Sequence, residues 1–269
     1  MITVRRCILS PLRFRLVFRQ FLRREILARY RGSLLGITWA LLTPLMMLGA
    51  YTLVFVGVFK ARWPGAEEAG GLAFALNIFA GLMVFNLFSE VIGRSPNLII
   101  EQPNLVKKVS FPLELLAYLT MGSALFHFLL NTLILVFGLA VLSHNLHPTL
   151  LFIPVIILPL LPLLLGLSWT LSALGVYIRD ISSIIGMALS LFMFLSPIFY
   201  SPGALSPRWQ TWINLNPLTA VIENLRRVAF LGVMPDWTSW GVALMLFTPV
   251  AFAGAWIFGK TRDGFGDVL

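Results

Sequence analysis

Six apolar runs, each long enough to cross a lipid bilayer, constrain this chain more than anything else in it. They are Leu34–Phe59, Leu72–Ile92, Leu113–Leu142, Leu150–Ile178, Ile184–Tyr200 and Thr238–Phe258. A crossing needs about 20 helical residues. At about 1.5 Å per residue the first run measures about 39 Å and the fifth about 26 Å, so the fifth spans marginally and invites a broken or re-entrant extension. In hydrocarbon an isolated strand leaves its backbone N–H and C=O groups without partners. The runs are therefore helices, and the fold class is an all-α integral membrane protein with six transmembrane helices. Pro154, Pro159 and Pro162 predict bends in the fourth. With 58% hydrophobic and 12% charged residues, against about 25% charged in ordinary soluble domains, a soluble enzyme or binding module is excluded.

The net charge of +9 superficially suggests nucleic acid, but nine of the 20 cations are arginines between Arg5 and Arg31, beside the first apolar run. That distribution suits a membrane surface instead. With the N-terminus inside, fifteen of the 20 Lys and Arg fall on the inner side and five on the outer, which predicts a multi-pass chain with both termini cytoplasmic. No cleavage-type segment follows the arginine-rich start, so no secretory signal peptide is expected. Cys7 is the single cysteine, which rules out an internal disulfide and a cysteine-based metal site.

Three segments do not span. In residues 1–33, Phe14, Val17, Phe18, Phe21 and Leu22 repeat at helical spacing, with Arg13, Arg19, Gln20, Arg23 and Arg24 opposite and Arg15 and Leu16 out of phase. This pattern predicts an amphipathic helix lying in the cytoplasmic interface, ahead of a membrane domain over 34–269. The loop Gly93–Pro112 carries Asn104, Leu105, Val106, Lys107 and Lys108. Two readings stay open there: a short amphipathic helix docked in a groove of a soluble partner, or a basic anchor loop. The stretch Ser201–Trp237, on the outer side, is too apolar for a solvated loop. Pro207–Asn214 and Leu218–Phe230, separated by Asn216-Pro217, read as two short helices that dip into the membrane or cap it. Glu223 can pair with Arg226 and Arg227 on one helix face, and mutual neutralisation near lipid headgroups is preferred to a ligand role.

Catalytic constellations are scarce. Gly254–Thr261 fits GxxxxGK[ST], but a phosphate loop needs a preceding strand, exposed amides and a following helix. Here Ala-Trp-Ile-Phe fills the loop inside an apolar run, so Lys260 and Arg262 read as a cytoplasmic anchor. His127, His144 and His147 lack ligand spacing. His127 falls near the midplane of the third run with Asn131 one turn on; a neutral histidine bonded to a neighbouring helix is preferred to a functional ionisable group. Glu90 and Glu114 fall near cytoplasmic ends, within reach of water, and Arg179-Asp180 marks a tight turn. Among 35 aromatic residues, Tyr51, Phe55 and Phe59 stripe the first run, and Phe192, Ser196 and Phe199, followed by Tyr200, stripe the fifth. Should those faces meet across a dimer or bundle, they form an aromatic tunnel suited to sugar rings. The plainer reading is lipid-facing packing and interfacial belts.

Several short stretches, in order, resemble the membrane permease of ABC exporters that move lipid-linked polysaccharides such as O-antigen, teichoic acid or capsule. They are Arg24-Glu25, Arg29-Tyr30-Arg31-Gly32-Ser33-Leu34-Leu35-Gly36, Trp39-Ala40, Pro44-Leu45, Asn104-Leu105-Val106-Lys107-Lys108, Phe111-Pro112, Tyr177-Ile178-Arg179-Asp180-Ile181, Leu195-Ser196-Pro197-Ile198-Phe199-Tyr200 and Asn216-Pro217-Leu218-Thr219. The resemblance implies a homodimer in the bacterial cytoplasmic (inner) membrane, with two copies of a separate ATPase subunit that bind ATP and Mg. This chain would then have no cofactor, metal or catalytic residue of its own. Arg94–Pro112 becomes a coupling and gating segment, with Lys107 and Lys108 at the lipid carrier's headgroup or at the ATPase. Re-entrant helices follow span five, and a glycan path runs between spans one and five past Trp39, Tyr51, Phe55, Phe59, Phe192, Ser196, Phe199 and Tyr200. Three rivals remain. An exporter of drugs or small lipids would have a narrow or shut path. A transferase acting on polyprenyl-linked sugars would need carboxylates gathered at one depth. A passive channel would conduct without any ATPase.

Overall fold

The computed structural model describes residues 2–58, 70–106, 111–143 and 146–268, and every regular element among them is helical. The chain opens with α1 (Ile2–Arg13) and α2 (Arg15–Ala28). On α2 and its lead-in, Phe14, Val17, Phe18, Phe21 and Leu22 are half-buried while Arg13, Arg15, Leu16, Arg19, Gln20, Arg23 and Arg24 are exposed, the two faces that the spacing predicts. The chain kinks at Phe14 (φ −114°, ψ 38°), so α1 forms a second helix that turns into the bundle. Cys7 on α1 is buried, and burial, reinforced by Glu114, pushes its thiol up to about 12.

The remaining elements are α3 (Trp39–Tyr51), continued by a π-helical stretch Thr52–Val58, then α4 (Gly70–Arg94), α5 (Pro103–Val106), α6 (Leu115–Ser143), α7 (Ile153–Ile156), α8 (Leu160–Tyr177), α9 (Ile181–Leu195), α10 (Pro207–Asn214), α11 (Thr219–Arg226), α12 (Trp237–Thr261) and α13 (Phe265–Val268). Five segments are long and apolar enough to cross a membrane: Gly36–Phe55, Gly71–Asn97, Leu115–Val141, Pro148–Tyr177 and Trp237–Val268. The sixth apolar helix, α9, has 15 residues and falls short of the expected run to Tyr200. Pro197 explains the early stop: it forces Ser196 to extended backbone (φ −92°, ψ 146°), which a residue before proline prefers. In the fourth segment Pro154 opens α7 and Pro159 precedes α8, so the helix breaks at the prolines.

From Ala73 to Phe88 every residue of α4 except Asn86 is buried. Helix α4 is the axle of the bundle: α6 runs antiparallel to it, and α3, α8, α9 and α11 pack around it. Beside it, α8 and α12 cross at backbone contact. A Cβ on Gly254 would stand 2.1 Å from the Gly166 carbonyl oxygen, and one on Gly166 would stand 2.3 Å from that of Val250. Small residues let helices approach this closely in lipid. Gly254 of the GxxxxGK[ST] match is therefore a packing residue within a continuous helix, and Lys260 lies over the Trp256 ring at 4.3 Å.

Both termini meet at one end. Glu114 is not at a wet boundary, as the sequence suggests, but 1% exposed. Its Oε1 accepts from Arg6 Nε (3.2 Å) and its Oε2 from Arg262 Nη1 (2.8 Å), while Trp169 Nε1 donates to its backbone carbonyl at 3.2 Å. The chain's two ends cover this carboxylate, and neither end is adjacent to it in sequence.

Between α9 and α12, Asn216-Pro217 separates α10 from α11, at the expected break. Asn216 Nδ2 donates to the Leu195 carbonyl (3.1 Å) and Ser196 Oγ (3.0 Å). Arg226 differs from the expected headgroup-facing cation. It is 5% exposed, donating to the carbonyls of Pro197 (2.7 Å) and Ile198 (2.8 Å) and to Glu223 Oε1 (2.9 Å). Its planar fork thus closes the turn that Pro197 opens. Arg227 is exposed and donates to the Met234 carbonyl (3.5 Å) rather than pairing with Glu223.

Two outcomes follow for stability in detergent. Gly254→Leu forces α8 and α12 apart and costs roughly 3 kcal/mol, read as a lowered thermal midpoint; an unchanged midpoint contradicts the close crossing. Arg226→Met strips the Pro197 and Ile198 carbonyls and costs about 3 kcal/mol. Arg226→Lys does not restore it, because an ammonium lacks the fork.

Candidate functional site

Trp39, Thr43, Met47 and Tyr51 recur every four residues on one face of α3. Opposite them stand α4 and α6, and between the two walls lies a pocket of about 420 Å³. Its foot is closed by Arg29 and Tyr30, just past α2. Glu90 Oε1 accepts from Arg29 Nη1 (2.5 Å), Glu90 Oε2 lies 2.9 Å from His127 Nδ1, and the Tyr30 hydroxyl lies 2.9 Å from His127 Nε2. The Glu90 carboxylate and the Tyr30 hydroxyl thus each hold one ring nitrogen of His127. Burial pushes the Tyr30 hydroxyl up from its ordinary value, which keeps it a donor. One turn along each helix, Glu25 pairs with Arg94. Opposite charges four residues apart, Glu25 and Arg29 along α2 and its C-cap and Glu90 and Arg94 on α4, therefore answer one another.

His127 does bond to a neighbouring helix, and it sits at the middle of the Leu115–Val141 segment. The first turns of α6 pack against α1 and α2, where the Tyr118 hydroxyl donates to the Ile8 carbonyl (3.1 Å) and a Cβ on Gly122 would stand 2.9 Å from Leu22. Its contact with Glu90 sets His127 level with a residue four positions from the end of α4. One turn deeper come Asn86 on α4 and Asn131 on α6, both lining the pocket. Among the described residues none hydrogen-bonds either side-chain amide. The sequence pairs His127 with Asn131 on one face of the third run and leaves Glu90 apart; what joins them is the antiparallel register of α4 and α6, together with Arg29 and Tyr30. Asn86, a lone amide in an apolar run one turn from Glu90, carried a legible signal that was passed over.

The aromatic residues of the first and fifth runs meet within one protomer. The Phe55 ring stacks on Phe199 (centroids 6.1 Å, 29°) and also lies 5.7 Å from Phe74. Phe199 approaches Phe194 at 6.3 Å, and Phe192 turns inward to Phe88 at 5.3 Å. Trp39 is 38% exposed, and Tyr51 is half-buried. Ser196 departs from the expected lining: it is fully buried, its Oγ donating to the Phe192 carbonyl (2.7 Å), because the Pro197 turn points it at Asn216. Tyr200 is half-buried, its hydroxyl 3.4 Å from the Phe194 carbonyl. Phe59 lies outside the described residues.

Of the coupling segment, Asn104 is exposed on α5, whereas Leu105 and Val106 are half-buried against the cluster holding Cys7, Phe258 and Phe265. Lys107 and Lys108 lie outside the described residues. Arg262, which holds Glu114, also donates to the Phe111 carbonyl at 3.4 Å, tying the end of this loop to the junction of the termini. Among the described residues no group of three His, Cys, Asp or Glu is placed to hold a metal.

Comparison with known proteins matches residues 17–230 to the ABC-2 type transporter family. The O-antigen export system permease protein RfbA of Myxococcus xanthus is 28% identical over 249 residues, 91% of this chain and 92% of that protein. Two permeases of the same name from Klebsiella pneumoniae are 22% and 23% identical over 249 and 251 residues, again 91% of this chain and 92% of each relative. Apolar helices crossing at glycine contacts, a buried axle, basic amphipathic helices at one end and a match over most of the length converge on one assignment: the chain belongs to the ABC-2 type transporter family, as a multi-pass membrane permease related to O-antigen export permeases.

Proposed function

We propose that this chain is the permease subunit of an ATP-driven exporter that moves a lipid-linked polysaccharide across the bacterial cytoplasmic membrane. The observation that carries the reading is similarity to O-antigen export permeases over nine-tenths of both chains. The exposed outer faces of α3 with its π-helical continuation and of α9 support it. Met46, Leu53, Met187, Leu191 and Phe194 are all at least 60% exposed, which suits a second copy closing a path between the first and fifth spans. In this scheme α9 and the turn after it complete a sixth crossing, α10 and α11 are re-entrant on the outer side, and both termini are cytoplasmic.

Two copies of a separate ATPase bind ATP and Mg and supply the work; this chain makes and breaks no covalent bond. The segment Asn104–Lys108 receives the ATPase's motion. Arg262, touching both Glu114 and the Phe111 carbonyl, passes it to the interface helices. The aromatic residues Trp39, Tyr51, Phe55, Phe59, Phe192, Phe199 and Tyr200 offer ring faces to passing sugars, while Glu223, Arg226 and Arg227 serve the outer segment.

Purification of the chain with its ATPase and reconstitution in lipid tests this directly. Extracted lipid-linked glycan raises ATP hydrolysis severalfold, and hydrophobic drugs do not. Stimulation by drugs alone, or hydrolysis by the isolated permease, contradicts the reading. Replacing Asn104–Lys108 by alanine leaves the complex hydrolysing ATP while glycan export falls at least tenfold; normal export by that variant removes the coupling role.

A further inference from the structure

The pocket between α3, α4 and α6 has two chemically different walls. Trp39 and Tyr51 on α3 offer flat ring faces. Asn86 and Asn131 offer amides that no described residue hydrogen-bonds, and Glu90 and His127 stand one turn below them. An unpartnered amide inside a membrane span is costly and needs water or a ligand. Asn86 is also the single exposed residue between Ala73 and Phe88, so packing of the axle does not account for it.

An acyl chain satisfies neither amide. A free anion is disfavoured beside Glu90, whose carboxylate already engages Arg29 and His127. A pyranose ring has the complementary construction: a C–H face that lies on an aromatic ring, and hydroxyls around its rim that both donate to and accept from an amide. The pocket's roughly 420 Å³ is within the range of small-molecule sites, about 300–1,000 Å³, and holds a short saccharide rather than a polymer.

We propose that this pocket is a saccharide-binding subsite within each protomer: Asn86 and Asn131 hydrogen-bond sugar hydroxyls, Trp39 and Tyr51 stack on ring faces, and the Tyr30–His127–Glu90–Arg29 chain forms its floor. The inference rests on the glycan-export reading and deepens it. It assigns recognition to polar groups of the second and third spans, not to the aromatic stripes alone. The floor joins the end of the interface helix to the pocket, so an occupied pocket bears on the element that packs against both α4 and α6.

The test uses the full chain in lipid nanodiscs and free oligosaccharides of glucose, galactose, mannose, rhamnose and N-acetylglucosamine, which carry no lipid. Saturation-transfer NMR detects binding of at least one of them. Asn86→Leu, Asn131→Leu and Trp39→Ala each weaken that binding about tenfold, the loss expected for one good contact, and Asn86→Gln restores part of it. Phe137→Ala, on an exposed apolar position of α6, leaves it unchanged. Where a leucine variant shifts the thermal midpoint, Asn86→Ala and Asn131→Ala, which remove atoms without adding any, carry the comparison. No binding of any oligosaccharide to the wild type, or equal binding by the asparagine variants, overturns the subsite and leaves the pocket to water. Glycan-stimulated ATP hydrolysis by the wild-type complex separates the two claims. Its absence defeats the export reading, whereas its presence at full strength in the asparagine variants defeats the subsite alone.

Discussion

Burial of α4 on nearly all sides is the constraint on which the remaining structure depends. In lipid there is little hydrophobic force between helices, so close packing and a few polar contacts must choose the neighbours. Several polar groups of α4, and Ser95 just past its end, do so for different partners. The Asn77 carbonyl accepts from Arg226 of α11 (3.3 Å), Ser95 Oγ donates to Ser168 Oγ of α8 (2.8 Å), Glu90 meets His127 of α6, and Arg94 meets Glu25 of α2. Asn86 is the exception, committed to no helix. The Asn77 amide and the Ser89 hydroxyl bond back to carbonyls of α4 itself, so the Asn86 amide is left for something that enters and leaves.

Patterns with local causes were legible in the sequence. The two faces of α2 follow from 3.6-residue periodicity, the α10–α11 break from Asn216-Pro217, and the breaks of the fourth span from its prolines. The aromatic stripes of the first and fifth runs likewise meet, at Phe55 and Phe199. The misses are of another kind. Glu114 is held by Arg6 and Arg262, 108 and 148 residues away, a distance over which periodicity says nothing. Arg226 looked like a surface cation because its i+3 partner Glu223 was visible, while the bare carbonyls after Pro197 that bury it were not. Ser196 fitted a helical stripe that ends one residue too early.

The two charge clusters divide the end of the bundle where the termini meet into two linked stations. Glu114 gathers both termini and, through Arg262, the loop after α5. Glu90 gathers the segment just past α2 and the pocket floor. Helices α1 and α2 connect the stations, since α1 carries Arg6 and α2 leads to Arg29 and Tyr30. In the proposed exporter a push at the coupling segment reaches the glycan pocket by this route, through paired charges and short helices that can shift as units.

The most direct measurement of the central claim is made in cells, by silencing this permease and following the glycan on each face of the cytoplasmic membrane. The account predicts that surface polysaccharide disappears while its lipid-linked form accumulates, full length, on the inner leaflet. Undiminished surface polysaccharide with no accumulation inside would contradict it.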